Sequence, residues 1–152
     1  MAGRKRPNHI IPHAAGDTPI IISVTVVAKD RRQCLANHPA HGLIRETWIR
    51  ASFWMVGRYV IMPDHIHFFC APAEVDCSLE KWMQFWKSQL TKAWPMEAEK
   101  PVIQREHWDT QLRREESYDE KWEYVRQNPV RGGLVGDPDD WLFQGEMNEL
   151  RW

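Results

Sequence analysis

Arg58-Tyr59-Val60-Ile61-Met62-Pro63-Asp64-His65-Ile66-His67-Phe68-Phe69-Cys70 is the stretch whose reading decides the fold. Two β-branched and aromatic runs flank Pro63-Asp64, a pair suited to a tight turn. Ile66, Phe68 and Cys70 alternate with His65, His67 and Phe69, the period of a strand with one buried face. Two strands joined this closely predict an antiparallel hairpin. Upstream, Ile20 to Ala28 is β-branched and hardly alternates, which predicts a largely buried first strand ended by Asp30-Arg31-Arg32. Leu43, Ile44, Trp48, Ile49 and Phe53 recur at helical spacing, which predicts an amphipathic helix over about 40–53. Gly57 breaks the pattern ahead of the hairpin.

Downstream, Ser78 is an N-cap for a helix that carries Leu79, Trp82, Met83, Phe85, Trp86, Leu90 and Ala93 and ends before Pro95. Trp108 to Leu112 reads as a short fourth strand. Ser117 with Glu120 forms a capping box for a third helix, expected to stop near Asn128 because Pro129 follows. Gly132 to Trp152 is turn-rich and acidic. The order strand, helix, strand, strand, helix, strand, helix predicts an α+β, ferredoxin-like antiparallel sheet with helices on one face, plus an additional C-terminal helix.

At 152 residues the chain predicts one domain, and 43% hydrophobic against 27% charged content predicts a globular one. Its longest apolar run is interrupted by Ser23 and Thr25 and falls short of the ~20 residues of a membrane helix. No apolar stretch follows the basic Met1–Pro7 directly, so no secretory leader is expected. Cys34, Cys70 and Cys77 are too few and too irregular for a disulfide framework, which points to a reducing cytoplasm. A net charge of −1 argues against nucleic-acid binding by bulk charge. Five acids (Asp137, Asp139, Asp140, Glu146, Glu149) against Arg151 nevertheless lie beyond Gly132, leaving the rest of the chain net positive and compatible with a polyanion in a local groove. Nine tryptophans serve a core or form stacking platforms.

His65 and His67, at i and i+2 on a strand, project side by side, a partial site for a divalent metal or simply a hydrogen-bonded surface pair. On the third helix Tyr118, Trp122 and Val125 define the core stripe, and Tyr124 lies about 120° from its centre. A tyrosine there presents its hydroxyl to solvent or ligand, or sits at the core margin. Asn128, one turn on, can add an amide oxygen to the same site or merely end the helix. Lys87, Lys92, Arg113 and Arg114 are candidate phosphate contacts or ordinary solvated charge, while Arg126 and Arg131 flank the tyrosine. His107 and Trp108 are core or base-stacking residues. No glycine-rich phosphate loop and no nucleophile elbow is present.

Tyr59 to His67 resembles the V-x-M-P-N-H-hydrophobic-H signature of single-tyrosine HUH transposases. Glu123-Tyr124-Val125-Arg126-Gln127-Asn128-Pro129-Val130-Arg131-Gly132-Gly133-Leu134-Val135 resembles the Y-I-x-x-N-P-V-R-A-G-L-V signature of their REP-associated subgroup. The resemblance covers about 18–143; the polar, basic 1–18 reads from its composition as a flexible arm, ahead of an HUH transposase-like domain over 19–143 and a tail over 144–152. It implies that His65, His67 and Asn128 ligate a divalent metal, Mg2+ or Mn2+, and that Tyr124 is the nucleophile. The implied activity is cleavage and rejoining of single-stranded or hairpin DNA through a 5′-phosphotyrosine, by a cytoplasmic, membrane-free monomer or homodimer. Lys87, Arg113, Arg126 and Arg131 are, from the charge reading above, the candidate DNA contacts. A catalytically inactive DNA-binding module, or a phosphodiesterase that uses water, are the alternatives. The chain departs from the family at Asp64, commonly Asn, and at Thr110, often His. By strand alternation Asp64 is expected to point away from the metal face.

Overall fold

The computed structural model describes residues 20–74, 76–113 and 117–151; the arm expected over 1–18 lies outside them. Five strands form one antiparallel sheet in the order β4-β1-β3-β2-β5, where β1 is Ile22–Ala28, β2 Trp54–Ile61, β3 His65–Pro72, β4 Ile103–Gln111 and β5 Gln144–Glu146. The hairpin forms as read, with Ile61 opposite Ile66 and the Met62 amide donating to the His65 carbonyl at 2.7 Å. Helix α1, His38–Arg50, carries the chain from β1 to β2, and α2, Leu79–Ala93, from β3 to β4. This is the ferredoxin-like α+β arrangement the element order implied.

Pleating splits the sheet into two chemically distinct faces. Ile22, Val24, Val26, Ile66, Phe68 and Cys70 point into the main core under α1 and α2. Trp48, Trp54, Trp82, Trp86 and Trp94 join them, so every buried tryptophan among the described residues serves the main core. The opposite face carries Ile21, Val60, Met62 and Phe69, and on these sits a smaller cluster with Tyr118, Val125 and Leu150. The additional helix α3, Tyr118–Val125, is therefore on the face opposite α1 and α2. Its stripe packs as expected: Phe69 meets Tyr118 and Trp122 edge to face, with ring centres 5.0 and 6.4 Å apart.

Several boundaries differ from the sequence reading, each for a local reason. Asn37 caps α1 through a 2.9 Å bond from the Ala40 amide, starting that helix at His38 and ending it at Arg50 rather than near Phe53. Gly57 lies inside β2, where the register shifts between Val56 and Tyr59. A Cβ there would fall 2.5 Å from the Tyr118 hydroxyl and 2.6 Å from Leu150, so the glycine serves close approach rather than a break. The fourth strand starts at Ile103, which pairs with Ala28 across a register shift in the β1 ladder that no apolar pattern announces. Residues 144–146, read as tail, pair with the outer edge of β2.

Candidate active site

His65 and His67 open onto a cavity of about 450 Å3 on the face opposite α1 and α2. Ser23, Thr25 and Val27 of β1 form its floor; Trp108 and Thr110 of β4 form the far wall. Arg31 stands at its rim. Strand periodicity puts both imidazoles here, and three hydrogen bonds fix them. His65 Nδ1 lies 2.9 Å from Asp64 Oδ1, and Asp64 Oδ2 accepts from Arg31 at 3.0 Å. A carboxylate can only accept, so the proton sits on Nδ1 and the Nε2 lone pair is left for a ligand. Partial burial works to raise the Asp64 carboxyl, but the bonds from His65 and Arg31 outweigh it and hold Asp64 below the usual carboxylate range. His67 Nε2 shares a 2.9 Å hydrogen bond with the Ser23 hydroxyl. Burial, aided by neighbouring His65, pulls His67 down to about 4, so its ring is neutral near pH 7.

Asp64 therefore does not point away from the histidines. It precedes the first residue of β3 and belongs to the turn, where strand alternation does not apply.

Of the three tyrosines, Tyr59 is fully buried and Tyr118 nearly so. Burial pushes the Tyr118 phenol up to about 12, and its oxygen accepts the Arg58 amide at 2.9 Å. Tyr124 is 68% exposed, which leaves it as the phenol available to an external substrate. The expected continuous helix is interrupted after it: α3 ends at Val125 and α4, Asn128–Arg131, follows a two-residue turn. Pro129 has no N–H to continue the helix onto Val125. Tyr124 and Asn128 are nevertheless joined, through Arg131. Its guanidinium stacks 4.2 Å over the Tyr124 ring, donates to the Tyr124 carbonyl at 2.9 Å and donates to Asn128 Oδ1. A Cβ at Gly132, just beyond α4, would lie 3.5 Å from Met62, so this element ends beside the hairpin turn that carries His65.

The donor chemistry fits a divalent cation in part. Two imidazoles stand on one face, one of them oriented by a carboxylate, the outer-shell arrangement common around metal-bound histidine. The third expected donor, Asn128, is held by Arg131, and neither it nor Tyr124 lines the histidine cavity. Among the described residues no three His, Cys, Asp or Glu side chains cluster as a cation site.

The remaining candidates separate. Lys87 lies on the α1–α2 side, where its ammonium donates to the carbonyls of Gln104 at 3.3 Å and Arg105 at 2.9 Å. Arg126 is engaged by Glu123 at 2.8 Å and by Asp139. Arg113 is exposed just beyond β4. Sequence reasoning missed Arg31, whose only signal was its place after the first strand.

No protein-family profile matches the chain. It is 28% identical over 102 residues to a Haemophilus influenzae protein assigned to the REP-associated tyrosine transposases, a match covering 60% of this chain and 58% of that one. It is also 28% identical over 89 residues to the REP-associated tyrosine transposase of Escherichia coli K12, covering 58% and 52%. The chain resembles the REP-associated tyrosine transposases. It spans just over half the length of these curated relatives. The solved structure of such a transposase bound to a REP hairpin shares the fold, with a TM-score of 0.70 at 24% identity over 82% of this chain and 75% of the other. A transposase candidate from Deinococcus radiodurans R1 gives a TM-score of 0.51 at 15% identity, over 72% and 91%. No helix among the described residues is long and apolar enough to cross a membrane.

Proposed function

We propose that the chain is a metal-dependent DNA strand transferase, cutting and rejoining single-stranded or hairpin DNA with Tyr124 as nucleophile. The observation that carries this reading is the shared face: the histidine pair, and the exposed tyrosine with its Asn128–Arg131 partner, occupy the same side of one sheet. Kinship with transposases, one of them solved on a hairpin, supports the substrate class.

His65, His67 and Asn128 would hold Mg2+ or Mn2+, which when bound supplies Lewis-acid polarisation of a phosphate. The rest falls to the protein. Asp64 keeps the His65 lone pair aimed into the cavity, and Ser23 steadies His67. Arg131 orders the tyrosine by stacking on its ring. The Tyr124 oxygen forms a bond to phosphorus as the bond to the 3′ oxygen breaks, giving a 5′-phosphotyrosine and a free 3′-hydroxyl once protonated. One ester replaces another, so a strand can be resealed without an external energy source. Arg131 and Arg113 are the proposed phosphate contacts; Arg126 would first have to leave Glu123 and Asp139, as Arg131 would have to leave Asn128.

Incubation with labelled hairpin DNA and Mg2+ or Mn2+ tests this. A denaturation-resistant protein–DNA adduct is expected from the wild type and none from Tyr124→Phe. Cleavage by both proteins without an adduct would make water the nucleophile. No cleavage by the wild type with either metal would leave a DNA-binding module, a second reading that the Arg131 hold on Asn128 favours.

A further inference from the structure

The cavity beside the histidines contains more than a metal site needs. The sheet register sets His67 opposite Thr25 and Thr25 opposite Trp108, so the imidazole and the indole stand on one face, two strands apart with only a threonine between. Two inter-strand spacings separate them by about 10 Å. Ser23 and Thr25 floor the gap with small polar side chains, making a slot with an aromatic wall at one end and imidazoles at the other. Trp108 is 36% exposed while five other tryptophans are buried in the main core, so its ring is not committed to packing.

The rim carries a third, independent feature. Asp30 and Arg31 hold φ of 58° and 54°, a left-handed conformation that residues with side chains rarely adopt in succession. Such outliers persist where the surrounding structure enforces them, often at functional sites. Here the turn folds the chain back immediately after β1 and brings the Arg31 guanidinium to the mouth of the slot. Its hydrogen bond to Asp64 uses one of five N–H donors, and the side chain is otherwise largely exposed.

We infer that this slot holds one unpaired nucleotide of the DNA strand, its base stacked on Trp108 and its phosphate met by Arg31 at the mouth. The assignment rests on the proposed function for the identity of the polyanion and deepens it by naming the element that selects for unpaired DNA. A base within a duplex is already stacked on both faces and cannot offer one to an indole recessed in a sheet. Stacking on an aromatic ring is tolerant of base identity, so Trp108 selects for an unpaired strand rather than for a sequence. Thr110 in the same wall is a second short side chain beside the ring, leaving room that a larger residue would fill.

The test is equilibrium binding in EDTA, free of cleavage, of a short fluorescent single-stranded oligonucleotide and of the same sequence as a blunt duplex. Trp108→Ala should weaken single-strand binding about 10-fold, leave duplex binding unmoved, and retain the wild-type melting temperature within a few degrees. Trp108→Phe should restore most of the affinity. Arg31→Ala should weaken binding and flatten its salt dependence. Scanning a single abasic residue along the oligonucleotide should reveal one position at which Trp108→Ala costs nothing further. Single-strand affinity within twofold of wild type for Trp108→Ala, or an equal loss for duplex, overturns the slot. The two readings fail separately: Trp108 dependence without any Tyr124 adduct refutes cleavage and keeps the slot, and an adduct with no Trp108 dependence does the reverse.

Discussion

At the scale of single residues, the site is decided by which atoms are already engaged. Asp64 stands where the signature it resembles commonly has Asn, and its carboxylate accepts a hydrogen bond from His65 Nδ1 while Arg31 compensates its charge. Removing an outer-shell partner of this kind typically costs 10- to 100-fold in metal affinity. Asp64→Leu should therefore weaken Mn2+ binding by about that factor in calorimetry, with little change in the melting temperature of the metal-free protein. Asp64→Asn, which can still accept the Nδ1 proton, should lose much less. Equal affinities for Asp64→Leu and the wild type would show that His65 needs no orienting group. Arg131 is the other such residue: one guanidinium covers the Tyr124 ring and occupies the Asn128 oxygen.

At the scale of elements, the placement of α3 depends on a close approach that only glycine allows. The Tyr118 hydroxyl and the Leu150 side chain both press on Gly57 where β2 changes register. This contact seats the first turn of α3 on the sheet and so sets where Tyr124, two turns later, emerges. Ser117 caps the helix by accepting the Glu120 amide at 3.1 Å. Gly57→Ala inserts a methyl group into filled space, which should cost about 1–3 kcal/mol in urea unfolding. Because the displaced group is Tyr118, the same variant should reduce adduct formation at Tyr124 more than it reduces DNA affinity. Unchanged stability would mean that α3 can shift freely, and that the packing does not locate Tyr124.

At the scale of the whole molecule, one sheet separates a buried aromatic core from a face that carries the histidine cavity. The cost of placing histidine on that second face appears as pH sensitivity. His67 titrates near 4 in the fold, against about 6.5 for an unperturbed imidazole. Between those values the unfolded chain binds a proton that the folded chain does not, so stability must fall as pH falls from about 6.5 to about 4. The full loss amounts to about 3 kcal/mol. Metal-free urea unfolding at pH 7, 5.5 and 4.5 should show this slope, and His67→Gln should flatten it. A slope that survives the substitution would assign the effect to another group.

The amino-acid order by itself determined the hairpin, the helix spacings, the ferredoxin-like class and the pairing of His65 with His67, because these follow from period-two and period-3.6 patterns along the chain. It also singled out Tyr124 as a polar-face tyrosine, since helical angle is a local property. It was silent on the Asp64–His65 bond, on the Arg31 turn at the cavity rim, and on the Trp108 row across β1. It also gave no sign that 144–146 would close the sheet. Those relations join residues tens of positions apart, or depend on a turn where alternation fails. Only tertiary structure decides them, because strand register, not sequence spacing, brings such side chains within hydrogen-bonding or stacking reach.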